Sequence, residues 1–282
     1  MTDDVLFEKR SDGVALLTLN RPDSLNAMGG QLMPLLARYL GECSRDRDVR
    51  AVVLTGAGRA FCAGGDVKGM ARRSDAPGNG EGAAATAQAP MSIIAALDAG
   101  VTELRASQVA TSYTLHTMPK PTIAMVNGHA VGAGLSLALA CDVRIASDRA
   151  KFGTAFRNVG FSGDFGGSWY LQRLVGYGKA RELYLTGEII DAEEAHRLGI
   201  ANKVVAHDNL LDETLAFAAR IASGPALAYA RMKENFNLGA TSDLRTLIDH
   251  EALNMRLSGM TNDFREAAQA FVEKREPKFA GM

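Results

Sequence analysis

The 282-residue sequence has only three cysteines, Cys43, Cys62 and Cys141, odd in number and far apart. They offer no disulfide framework, and none has a histidine at metal-ligand spacing, so reduced and mostly buried thiols are expected, with no metal site. Net charge is scarce as well: 31 Lys and Arg against 32 Asp and Glu leave −1. That balance lacks the basic footprint that nucleic acid or an anionic membrane requires. Long apolar runs are missing too. The longest, near Val131 to Cys141, is too short to span a bilayer and stops at Asp142. The first residues, MTDDVLFEKR, do not have the basic-then-apolar order of a secretory leader. A cytoplasmic location follows as the expectation, with neither nucleic acid nor membrane as a partner.

Several motifs are also absent. No GxxxxGK[ST] occurs, and the third glycine of GxGxxG is missing after Gly132 and Gly134. Ser136, in the stretch GLSLA, lacks the second glycine of a nucleophile elbow. Of the five histidines, His129 lies between a strand and the glycines, where packing is expected rather than catalysis. His116, His196, His207 and His250 are expected to be solvated or capping.

What is present is a length able to bury a large core, with 47% apolar and 22% charged residues. VLFEKR and VALLTLN flank Ser11-Asp12-Gly13 and read as a β-hairpin. From Asn26 to about Ser44 the spacing of Leu32, Leu35, Leu36 and Leu40 predicts a helix. Residues 51–56, 122–128 and 143–147 are β-branched runs of the kind buried on both sheet faces. From about Ala192 onward nearly everything reads as helix. Between these parts, residues 74–90 are rich in Gly, Ala and Pro without hydrophobic period, and a mobile surface insertion is expected there, either a tolerated loop or a flap over a ligand site.

Two stretches carry chemistry. GRAFCAGGDVKGM (58–70) and NGHAVGAGLSLALACD (127–142) each follow a strand and open a helix through small residues. Each could be no more than a tight turn, the first capped by Asp66. Such turns leave backbone N–H groups unpaired, and two of them aimed at one point could hold an oxyanion. A third stretch, GFSGDFGGSW (160–169), sets one carboxylate, Asp164, among glycines and aromatic rings. Asp164 could cap a helix, which depresses a carboxyl pKa, or work as an acid or base, for which burial beside Phe156, Phe161, Phe165 and Trp169 would raise it.

The motifs AFCAGGDVK and VNGHAVGAGLSLALACD, followed by AKFGTAF, RNVGFSGDFGGSWYLQRLVG and LTGEIIDAEEAHRLGIANKVV, resemble the crotonase superfamily of enoyl-CoA hydratases and isomerases. The likeness runs in order from LNRPDSLNAM to FREAAQAFVEKREPKFAGM and is strongest to the 1,2-epoxyphenylacetyl-CoA isomerase branch. It implies an α/β fold, a superhelix of ββα units over residues 1–200, and a helical C-terminal region, 201–282, that trimerises, with trimers pairing into hexamers. It implies an acyl-CoA substrate as the small-molecule partner, with CoA belonging to the substrate and no separate cofactor. Carried over residue by residue, the oxyanion donors fall at Gly65 and Ala133. Ala63, Asp66, Val67 and Lys68 fall near the nucleotide end, and Phe156, Phe161 and Trp169 near the acyl group. Arg275, Lys278 and Phe279 would complete a neighbour's CoA site.

At the positions where the resembling hydratases carry two glutamates, this chain has Ser136 and Phe156. Neither can relay a proton near neutral pH. Asp164 stands where other members of the superfamily place their only acid. The resemblance therefore implies an isomerase with Asp164 as single acid/base, shifting a double bond or rearranging a ring epoxide through a thioester enolate. A hydratase with non-standard acids and a non-catalytic acyl-CoA-binding member are the alternatives. Dehalogenation by the same aspartate is a minor reading, because no histidine occurs within residues 91–115.

Overall fold

The computed structural model describes residues 3–67, 69 and 89–281. The N-terminal hairpin pairs β1 (Val5–Lys9) with β2 (Val14–Leu19) in antiparallel fashion, from Val5 opposite Leu19 to Lys9 opposite Ala15. Gly13 closes its turn at φ +82°, a backbone setting that only glycine adopts without strain. Beyond β2 the main sheet is parallel, with β3 (Ala51–Gly56), β5 (Thr122–Val126), β7 (Val143–Ser147) and β10 (Lys203–Val205) joining in the six-stranded order β1-β2-β3-β5-β7-β10. A second sheet in the order β4-β6-β8-β9 stacks three-residue strands, β4 (Ala60–Cys62), β6 (His129–Val131), β8 (Lys151–Gly153) and the antiparallel β9 (Ile189–Asp191). The successive pairs β3–β4, β5–β6 and β7–β8 each place one long strand in the main sheet and one short strand in the other before a helix follows, a spiral of ββα units.

The strands show why two-sided apolar runs were needed. Val52 and Leu54 of β3 enter one core with Ala124 and Val126 of β5, while Ala51 and Val53 enter another with Ile123 and Met125. Alternation with period two sends successive side chains to opposite faces, so both faces must be apolar. The first core is closed by α1 (Leu32–Arg45), whose Leu32, Leu36, Tyr39, Leu40 and Cys43 are buried at helical spacing. The second is closed by Leu210, Ala218 and Ala222 of α6 (Leu210–Ala222). Residues beyond 200 also build this core: β10 extends the main sheet and α6 covers it.

The remaining helices are α2 (Ala89–Gln108), continued by a π turn at Val109–Tyr113 and a last turn at Thr114–Thr117, then α3 (Ala133–Ala140), α4 (Gly167–Thr186) and α5 (Ala192–Arg197). Beyond α6 come α7 (Ala226–Gly239), α8 (Leu244–Ser258) and α9 (Asn262–Glu273). Of the insertion expected at 74–90, residues up to 88 lie outside the described ones, and Ala89 and Pro90 already belong to α2. The helix expected from Asn26 begins instead at Leu32, because Leu25, Asn26 and Gly30 take positive φ angles that no right-handed helix allows.

An ion pair buried on its lysine side ties α7 to the sheet. Lys233 Nζ, on a side chain 9% exposed, donates to Asp142 Oδ2 at 2.7 Å, to the Leu115 carbonyl at 2.8 Å and to the Lys120 carbonyl at 3.1 Å. The same Asp142 oxygen accepts the Thr122 N–H at 2.7 Å, at the start of β5. Burial pulls the Lys233 pKa down while the Asp142 charge pushes it back up. Removing Lys233 leaves the Leu115 and Lys120 carbonyls without their donor, while Asp142, 30% exposed, still reaches water. Lys233→Ala is therefore expected to lower unfolding free energy by roughly 1–3 kcal/mol in urea titrations. Lys203→Ala, which breaks an exposed pair with Glu213, is expected to leave the midpoint nearly unmoved.

Candidate functional site

The two glycine-rich turns meet. A Cβ on Gly134 would lie 2.1 Å from the Cys62 carbonyl oxygen, and one on Gly64 would lie 3.3 Å from the Ala133 nitrogen. Only glycine lets the start of α3 settle this closely on the end of β4. The first turn is also braced from the far side. Asn26, fully buried, donates from Nδ2 to the Ala57 and Ala60 carbonyls at 2.9 and 2.8 Å, and the Met28 N–H donates to the Gly64 carbonyl at 2.7 Å. Asn26 was missed from sequence because its partners lie more than thirty residues away in a chain reading as helix there.

The result is a pair of backbone amides in adjacent turns. Ala133 opens α3 and is buried, and Gly65 forms an isolated bridge to Met28. Among the described residues, no group of the chain accepts the N–H of Gly65 or of Ala133. The other residues of the first turn are more engaged. Asp66 Oδ1 accepts the Gly69 N–H at 2.9 Å, as a cap would, and Oδ2 lies 3.8 Å from Arg21 Nη2. The Ala63 N–H donates to the Leu25 carbonyl, Val67 is exposed, and Lys68 lies outside the described residues.

Asp164 sits in the loop before α4. It is no helix cap: Gly166 holds the N-cap position without a side-chain bond, and only the Asp164 backbone carbonyl accepts the Gly167 N–H. Its Oδ1 atom is enclosed and has no hydrogen-bond partner among the described residues. Burial raises its pKa from 3.8 to about 6. The loop adopts left-handed φ at Gly163 (+108°), Phe165 (+50°) and Gly166 (+77°). For Phe165 this conformation is costly, and its buried ring in the main core holds it there.

The aromatic company of Asp164 differs from the expectation. Phe156 is buried and stacks on Tyr184 with centroids 5.9 Å apart, and a Cβ on Gly163 would touch both rings. Phe161 is 56% exposed. Trp169 packs elsewhere, edge-on to His116 and Tyr170 with Arg173 over its face at 3.7 Å. That cluster also corrects His116: it is half-buried between aromatic rings, and burial lowers its pKa. His129, expected to pack, is exposed at the start of β6. Tyr184, on α4 twenty residues beyond Asp164, was missed because no local motif links positions so far apart. Ser136 is buried on α3, its Oγ 3.4 Å from the Gly132 carbonyl.

The Enoyl-CoA hydratase/isomerase family model matches residues 9–98 and 93–282. The chain belongs to this family. A 1,2-epoxyphenylacetyl-CoA isomerase of Escherichia coli (strain K12) is 38% identical over 269 residues, covering 95% of each chain. A short-chain-enoyl-CoA hydratase of Clostridium acetobutylicum is 34% identical over 275 residues, covering 97% of this chain and 96% of its own. The crystal structure of an enoyl-CoA hydratase from Bacillus anthracis matches with a TM-score of 0.85 at 31% identity, over 99% of this chain and 100% of that one. The spiral of ββα units is thus the crotonase fold, and the protein is an enzyme of the enoyl-CoA hydratase/isomerase family. Its relatives carry both reaction names, so membership alone does not choose between the reactions.

Desolvation of Asp164 has a consequence for stability. Between about pH 4 and 6 the native chain keeps a proton that the unfolded chain has released, so stability falls as pH rises through that window and the loss is complete above it. Asp164→Asn, always neutral, is expected to melt above wild type at pH 8, with the margin vanishing near pH 4. Equal melting temperatures at both pH values would show that the carboxylate is not desolvated.

Proposed function

We propose that the protein is an enoyl-CoA isomerase that shifts a double bond, or rearranges a ring epoxide, in an acyl-CoA thioester, with Asp164 as its single acid/base. The observation that carries this reading is the enclosed Oδ1 of Asp164, without a partner among the described residues, together with the Gly65 and Ala133 amides, which find no acceptor among them. The thioester carbonyl accepts hydrogen bonds from the Gly65 and Ala133 N–H groups. As Asp164 removes a proton from the activated carbon, negative charge moves onto that oxygen and the amides hold it, each worth about 3 kcal/mol in the transition state. The carboxylic acid so formed returns its proton two carbons along the dienolate, and the thioester is left isomerised with Asp164 ionised again. A carboxyl group poised near pH 6 suits both halves of that exchange.

Phe156 and Tyr184 wall the site and keep water from the enolate. Ser136 and Phe156 leave no second acid to activate water, which favours isomerisation over hydration. The CoA moiety arrives with the substrate, its nucleotide end toward Ala63, Asp66, Val67 and Lys68, and Phe161 stands at the exposed rim.

Because the base must be ionised, kcat/KM for a 3-enoyl-CoA is expected to rise with pH through about 6 and then level. Asp164→Asn is expected to abolish turnover while leaving acyl-CoA affinity nearly unchanged. If crotonyl-CoA is consumed and 3-hydroxyacyl-CoA accumulates while 3-enoyl-CoA persists, the protein is a hydratase.

The proposal includes self-association. Phe236, Met260 and Phe271, on and beside the last helices, are 81%, 73% and 86% exposed, large apolar side chains of the kind a subunit interface covers. Light scattering is expected to report a trimer or a pair of trimers, and a monomer at micromolar concentration would remove this part of the reading.

A further inference from the structure

Asp164 rides on a turn whose underside is filled by one ring. A Cβ on Gly163 would lie 3.0 Å from Tyr184 Cε1 and 3.5 Å from its Oη, and a Cβ on Gly167 would lie 2.7 Å from the same Oη. The phenol therefore touches the turn on both sides of Asp164, and glycine at 163 and 167 is what makes room for it. The other side of the ring is held by the stack on Phe156. Among the described residues the Tyr184 hydroxyl has no hydrogen-bond acceptor, and Asp164 Oδ1 has no donor. An enclosed acceptor and an uncommitted donor on adjoining surfaces each lack what the other supplies.

We infer that Tyr184 is a positioning residue: when Asp164 ionises, the phenol O–H donates to one carboxylate oxygen and leaves the other directed at the substrate carbon. The inference rests on the reading of Asp164 as the base. Burial and the Asp164 charge both raise the phenol's pKa, so it stays protonated and remains a donor throughout the working range. Other groups around the turn do not compete for this role. Ser136, facing it from α3, lies 3.4 Å from the Gly132 carbonyl. Arg157, on the 3-10 turn that carries Phe156, gives its guanidinium to the Thr186 carbonyl at 2.9 Å. Phe156 has nothing to donate.

The test is Tyr184→Phe, which keeps the ring and its packing and removes only the hydroxyl. The Asp164 protonation midpoint is read in the resting protein by pH-difference infrared spectroscopy, with the carboxylic acid band assigned by its loss in Asp164→Asn. Losing a donor to the ionised form should move the midpoint up by about half a pH unit or more. The acidic limb of kcat/KM for a 3-enoyl-CoA should move with it, with kcat reduced and KM little changed. A midpoint that stays or falls in Tyr184→Phe overturns the inference. The infrared measurement needs no turnover, so this failure is distinct from that of the base assignment, which fails if Asp164→Asn keeps full activity.

Discussion

Two amide N–H groups can address one oxygen only if the backbones that carry them come into contact, and every feature of the site depends on that contact. It exists because nothing larger than hydrogen stands at Gly64 and Gly134, where the ends of β4 and the start of α3 press together. The rest of the fold maintains the approach. Parallel β3 and β5 set the two strand-to-helix turns side by side, and Asn26 locks the outer turn with bonds to the Ala57 and Ala60 carbonyls. In the family to which the chain belongs, a rigid pair of donors serves reactions that differ in their acids and bases.

The buried carboxylate stands on a different kind of structure. Asp164 stands on a turn with three left-handed residues, held by the buried Phe165 ring and floored by Tyr184. A short strained loop at the mouth of a rigid core can place a carboxylate where a helix face could not, and burial there makes the group reluctant to ionise. The paired amides and the buried carboxylate thus stand on separate elements of the chain.

Much of this was legible in advance. The hairpin at Gly13, the strands beginning at Ala51, Thr122 and Val143, and the stripe Leu32, Leu36, Leu40 follow from period and turn chemistry. The raised pKa of Asp164 was expected from its aromatic neighbourhood, although two of the four rings named for it lie elsewhere. Phe161 turns outward, and Trp169 packs with His116 and Tyr170. Neighbours in sequence are not neighbours in space once a loop reverses direction at successive positive φ angles. The early start assigned to α1 failed for the same reason at Leu25 and Asn26.

The amino-acid sequence by itself determined the family, the α/β class, the two glycine-rich turns and the singular carboxylate, because periodicity, glycine at close-packed turns and motif order are local properties. Tertiary structure alone decided that Tyr184 lies under Asp164, that Asn26 braces the turn at Gly64, that Lys233 is buried against Asp142, and that β10 joins the main sheet with α6 closing its second core. Those are contacts between residues distant in the chain. They arise from how the sheets stack and how the helices cover them, and no local pattern of side chains encodes them.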